Sequence, residues 1–107
     1  SDDETIFDKK MDNNAQVING SEIYIKKGLD LIFVTRFSQD IKSVQSIIND
    51  KYILYQIDSG IYICDLAGQN IMQVTTLANN DPAQLRILSD DIVLIRQGRD
   101  IVKIIIR

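Results

Sequence analysis

From Ala15 onward, short apolar runs rich in isoleucine, valine, leucine and tyrosine alternate with polar punctuation, at the spacing of β-strands. The punctuation is Asn19-Gly20, Asp58-Ser59-Gly60, Ala67-Gly68-Gln69-Asn70, Asn79-Asn80-Asp81-Pro82, Ser89-Asp90-Asp91 and Gly98-Arg99-Asp100. Such residues reverse an antiparallel pair because glycine accepts positive φ, and aspartate and asparagine bond nearby backbone amides. No window keeps apolar residues at i, i+3, i+4 and i+7 over the dozen residues a helix needs, and the β-branched side chains favour strands. The chain therefore reads as all β. Residues 1–14 are acidic at the start and then mixed, with Ile6, Phe7 and Met11 available to bury, and read as a tail or edge segment.

The apolar runs return. Ser21, Ile23, Tyr24 and Ile25 reappear as Ser59, Ile61, Tyr62 and Ile63, and again as Ile101, Val102 and Ile104. Val34-Thr35 reappears as Val74-Thr75, Asp50 as Asp90, and Tyr52-Ile53-Leu54-Tyr55 as Ile92-Val93-Leu94-Ile95. Periods near 40 residues are those of β-propeller blades, each a four-stranded antiparallel sheet. With strands lettered A to D from the axis outward, the predicted partial blade 15–37 holds B (Ala15 to Asn19), C (Ser21 to Lys27) and D (Asp30 to Phe37). The complete blade 38–77 holds A (Ile41 to Ile48), B (Lys51 to Ile57), C (Gly60 to Leu66) and D (Asn70 to Leu77). The partial blade 78–107 holds A (Ala83 to Leu88), B (Ile92 to Gln97) and C (Asp100 to Arg107). The fold expected is thus an incomplete ring of propeller-type blades, with a small β-sandwich as the alternative.

Continuous apolar B and C strands, where a strand wet on one face would alternate, require sheets covered on both faces. Ile53, Leu54, Ile61, Ile63, Val93, Leu94, Ile101 and Ile104 are the expected core, the middle C strand being among the most buried segments. Cys64, inside the run Ile61 to Cys64, is expected to be a buried and inert thiol.

The stretch Asn49-Asp50-Lys51-Tyr52-Ile53-Leu54-Tyr55, followed by Ser59-Gly60-Ile61-Tyr62-Ile63-Cys64-Asp65-Leu66-Ala67-Gly68, resembles the TolB-like repeat propellers, in which an apolar B strand precedes a C strand ending in an Asp-x-x-Gly turn. Leu31 to Ile41 is similar to their D-to-A crossing. The resemblance spans Ser21 to Arg107 and departs where Ser46-Ile47-Ile48-Asn49-Asp50 replaces the usual Trp-Ser-Pro-Asp-Gly turn. The chain has no tryptophan, and WD-type signatures are missing too. The resemblance implies blades that bind partners without chemistry of their own, in a periplasmic or cell-surface setting.

Composition narrows the function classes. A net charge of −3 offers little positive potential for phosphates, so nucleic acid is not an expected partner. No apolar stretch approaches the length of a membrane helix, and the acidic opening Ser1-Asp2-Asp3-Glu4 is unlike a signal peptide. The absence of histidine removes Ser-His-Asp and Cys-His catalysis and the commonest zinc ligand. Ser38, Ser43 and Ser46 have no base suggested by spacing. Asp58, Asp65, Asp90, Asp91 and Asp100 read as turn residues rather than catalytic carboxylates. Asn79-Asn80-Asp81 reads as a turn before Pro82 and lacks the spacing of a calcium loop. Lys26-Lys27 and Arg96-Arg99 read as solvated strand ends.

No catalytic, cofactor or metal residue is therefore expected. The expected function is a scaffold or protein-interaction module that completes its open blades with a second copy or with further blades of a longer chain. An accessory or substrate-binding part of a larger hydrolase is the alternative.

Overall fold

A computed structural model describes residues 2–8, 12–47, 51–89 and 91–106. Ten strands form three antiparallel sheets, and among the described residues no barrel closes. Sheet 1 is β1 (Ala15–Ile18), β2 (Glu22–Lys27) and β3 (Asp30–Arg36), paired in that order. Sheet 2 runs β4 (Ser43–Ile47), β5 (Tyr52–Ile57), β6 (Gly60–Asp65) and β7 (Met72–Thr75). Sheet 3 runs β8 (Gln84–Ser89), β9 (Ile92–Gln97) and β10 (Asp100–Ile105). Every pairing joins strands adjacent in sequence, as turns of a few residues dictate. The expected turn at Asn49-Asp50, together with Met11, Ile48 and Asp90, lies outside the described residues.

The outermost strands of sheets 1 and 2 share an irregularity. Ile23 pairs with Thr35 while its neighbour Tyr24 pairs with Phe33, which leaves Val34 as an extra bulged residue. Forty residues on, Ile61 pairs with Thr75 and Tyr62 with Gln73, which leaves Val74 bulged in the same way. A bulge turns its side chain out of the normal alternation, and here both valines point into the spaces between sheets.

Two apolar clusters hold the sheets together. The first joins sheet 1 to sheet 2 through Ile23, Ile25 and Val34 on one side and Ile53, Tyr55, Ile57 and Cys64 on the other. The second joins sheet 2 to sheet 3 through Ile47, Leu54 and Ile61 on one side and Leu85, Val93 and Ile95 on the other. The middle sheet is thus packed on both faces. Of the expected core, Ile53, Leu54, Ile61, Val93 and Leu94 are fully buried, whereas Ile63, Ile101 and Ile104 are only half-buried. β5 is more buried than β6, although both are paired on each side, because β5 supplies Ile53, Tyr55 and Ile57 to the first cluster and Leu54 to the second, whereas β6 supplies one fully buried residue to each, Cys64 and Ile61.

Two glycines fix the close approaches. Gly68, at φ 71°, ends the β6–β7 turn, and a Cβ there would sit 2.5 Å from the Val34 carbonyl oxygen of sheet 1. Gly60, at φ 141°, would place one 2.3 Å from the Thr75 carbonyl oxygen of β7. Only a residue without a side chain fits at either position.

The opening segment departs from the expected tail. Asp2–Asp8 form a short helix, α1, and Phe7 is buried at 4% exposure. Seven residues are too few for periodicity to register, and tertiary contact rather than helix propensity holds so short a helix.

Candidate functional site

The polar side chains that sequence reasoning set aside as turn residues do serve the fold. Asp65 ends β6 and accepts backbone N–H bonds from Gln69 and Ala67, both at 2.9 Å, and a side-chain bond from Asn70 at 2.7 Å. Those donors, the Gln69 amide first, hold the Asp65 carboxyl below its usual range. Asp91 accepts from the Ser89 hydroxyl at 2.8 Å. Asp58 lies 3.9 Å from the Lys42 ammonium, and Asp100 begins β10 on the surface. Asn79 accepts the Asp81 N–H at 2.9 Å, which closes that turn locally. Ser43 donates to the Ala83 carbonyl at 2.6 Å, and the Ser46 hydroxyl accepts the Asn14 N–H at 3.0 Å. Ser38 is exposed, as are Lys26 and Lys27 at the end of β2. Among the described residues no group of three or more carboxylate or cysteine side chains could hold a metal ion, and no helix is long and apolar enough to cross a membrane.

Cys64 is 1% exposed, and burial first, then the nearby Asp65 charge, pushes its thiol up to about 11. Tyr55, stacked on Tyr62 at 5.5 Å and tilted against Phe37 at 5.0 Å, is pushed up to about 12 by the same burial. Neither group is poised to react near neutral pH.

Sequence reasoning missed two carboxamide clamps. The side chain of Asn13 accepts the Ser46 N–H at 3.0 Å and donates to the Val44 carbonyl at 2.9 Å. The side chain of Gln56, 1% exposed, accepts the Ala83 N–H at 2.8 Å and donates to the Asp81 carbonyl at 2.9 Å. Each amide imitates one residue of a neighbouring strand, filling an acceptor and a donor two residues apart. Asn13 thereby covers the free edge of β4, and Gln56 fastens the connection into sheet 3. No pattern in the sequence marks either residue, since their partners lie 31 and 33 positions away for Asn13 and 25 and 27 for Gln56.

Arg96 is not a solvated strand end. It shares the outward face of sheet 3 with Arg86, and the two guanidinium carbons stand 4.9 and 5.7 Å from the centre of the Phe7 ring. Arg96 also donates to Gln84 at 2.6 Å, while the Nε of Arg86 has no hydrogen-bond partner among the described residues. Burial, then repulsion from Arg96, lowers the Arg86 pKa. Arg99, at the β9–β10 turn, lines a cavity of about 310 Å³ with Asp8, Arg96, Gly98 and Ile101. Two cations on one aromatic ring make a favourable contact that also screens their mutual repulsion.

Sheet 1 turns Tyr24 and Phe33 outward in edge-to-face contact at 5.5 Å, with Phe33 49% exposed. Comparison with known proteins gives no match: no protein family, no curated protein and no solved structure matches this chain.

Proposed function

We propose that the chain is a non-catalytic stack of β-propeller-type blades, related to the TolB-like propellers, that serves as a scaffold or protein-interaction module and assembles by strand or blade complementation. The observation that carries this reading is the direction of packing. Ile23 and Ile25 of sheet 1 face sheet 2, and their counterparts 38 residues on, Ile61 and Ile63, face sheet 3. Ile53 and Tyr55 of sheet 2 face back to sheet 1, and their counterparts 40 residues on, Val93 and Ile95, face back to sheet 2. Equivalent faces therefore point the same way around the stack, as blades do, whereas a two-sheet sandwich turns its apolar faces toward each other. The common bulge at Val34 and Val74 adds a second, independent correspondence.

A stack with one direction has two unlike outer faces, and such heterologous faces associate head to tail. Asp65, Asp91, Asn79, Asn13 and Gln56 are engaged in turns and clamps, which is consistent with a working part made of surface. Light scattering after size exclusion, run from micromolar to millimolar chain, tests the assembly. The expected result is a mass that rises in whole multiples of the chain. A folded monomer throughout that range overturns the assembly reading.

A further inference from the structure

We infer that Asn19 is a site of spontaneous covalent modification, at which solvent water converts the side-chain amide to aspartate or isoaspartate and so loosens the connection between sheet 1 and sheet 2. The reacting groups are the chain's own. The backbone nitrogen of the residue after an asparagine gives up its proton to hydroxide and attacks the side-chain carbonyl carbon, closing a succinimide ring. The side-chain nitrogen leaves as ammonia, taking a proton from water and so restoring the hydroxide. Water then opens the ring at either carbonyl, giving aspartate or, with the main chain rerouted through Cβ, isoaspartate. Among the asparagines only Asn19 precedes a glycine. With no Cβ, Gly20 leaves its nitrogen unshielded and lets the backbone rotate toward the side chain. Asn19 is exposed, at φ 56°, in the three-residue turn between β1 and β2. Among the described residues no group holds its side chain by a hydrogen bond.

Asn70 supplies the contrast within the molecule. It has the same left-handed backbone, at φ 53°, but Ile71 follows it and its amide donates to the Asp65 carboxylate at 2.7 Å. The β-branched side chain crowds the attacking nitrogen, and the charge-assisted bond must break before the carboxamide can turn. Asn13 is fastened at both ends to β4, and Asn79 accepts the Asp81 N–H. The place of the Asn19 turn gives the change its effect. The Gly20 carbonyl accepts the Ile41 N–H at 2.8 Å, and the Ser21 carbonyl accepts the Phe37 N–H at 2.9 Å. These bonds tie the turn to the segment between β3 and β4, and Ile41 and Phe37 both pack in the first apolar cluster. The Asp40 carboxylate stands beside the turn, with its Oδ1 3.3 Å from where a Cβ on Gly20 would lie. Either product adds a negative charge one residue from that contact, where a like charge is unfavourable. Isoaspartate also lengthens the turn by one main-chain atom, which pulls the Gly20 and Ser21 carbonyls out of register with their donors.

The test ages the full chain for weeks in neutral buffer, then maps its peptides by mass spectrometry with electron-transfer fragmentation, which separates isoaspartate from aspartate. The expected result is the mass gain of an amide becoming an acid at residue 19, with isoaspartate among the products. Its rate should exceed that at Asn70 by at least about tenfold, since the bond to Asp65 has no counterpart at Asn19. Asn19→Gly keeps a residue suited to positive φ and removes the reacting amide, so that peptide should show no gain. If that variant fails to fold, the rates in the unaltered chain decide. In the converted chain, amide exchange at Ile41 and Phe37 is expected to be faster than in fresh chain, while exchange at Val93 in sheet 3 stays unchanged. An Asn19 that does not convert, or converts no faster than Asn70, overturns the site. Conversion that leaves exchange at Ile41 and Phe37 unchanged overturns its effect on the connection between the sheets.

Discussion

The two outer faces of the stack meet the same physical problem with different chemistry. Each is one side of a sheet whose other side is buried, so each carries apolar residues with no further sheet to cover them. On sheet 3, Leu94 is fully buried although it belongs to neither intersheet cluster, and Phe7 of α1 is laid between Arg86 and Arg96 on that same face. On sheet 1, Tyr24 and Phe33 contact each other, and Leu31 and Phe33 stay about half exposed. One end is closed by a short segment of the chain's own; the other is left as an aromatic surface. In the proposed head-to-tail assembly the sheet 1 face would enter the contact as it stands, whereas the sheet 3 face would present the α1 segment laid over it.

The sharpest contrast is between either end and the interior. Ile61→Asp places an unpaired carboxylate in the second cluster and should cost about 4 kcal/mol or more, enough to abolish cooperative unfolding by circular dichroism. Gln56→Leu keeps the volume but orphans the Ala83 N–H, and a loss of about 2 kcal/mol is expected in urea titration. At the covered end, Phe7→Ala should cost about 1.5 kcal/mol and raise binding of a hydrophobic dye, as the Leu94 face opens.

The pH response separates the junctions. Tyr55 and Cys64 both lie in the first cluster, and both hold their protons more tightly folded than at their ordinary values of 10.0 and 9.0. The stability they contribute is fully present below about pH 9 and is lost as pH rises through about 11 to 12. Amide exchange in mild alkali should accelerate first between sheets 1 and 2, and Cys64 should resist thiol reagents until that point. The smallest effect is at the bare end, where Phe33→Asp should shift stability by no more than about 0.5 kcal/mol while lowering the mass seen by light scattering.

Much of this contrast could not be read from the chain. The strands were legible because their turns carry Asn-Gly, Asp-Ser-Gly and Gly at fixed places, and because B and C strands such as Tyr52–Ile57 lack the polar alternation of a wet face. Helix α1 was not, since seven residues span about two turns and the burial of Phe7 depends on arginines about 80 to 90 residues away. The half-exposure of Ile101 and Ile104 follows from their place on β10, an edge strand of sheet 3 among the described residues, and that of Ile63 is concealed by the Ile-Tyr-Ile it shares with fully buried Ile25. Of the residues weighed for chemistry, the turn role of Asp65 followed from its Asp-x-x-Gly setting, whereas the Asn13 and Gln56 clamps depend on contacts far apart in sequence.

The common direction of the three sheets is the claim on which the rest depends, and methyl-to-methyl nuclear Overhauser contacts measure it directly. The stack predicts cross-peaks from Ile23 and Ile25 to Ile53, from Leu54 and Ile61 to Leu85 and Val93, and none from Ile23 or Ile25 to Val93 or Ile95. Cross-peaks joining Ile23 or Ile25 to Val93 or Ile95 would place sheet 1 face to face with sheet 3, as in a sandwich, and would contradict it.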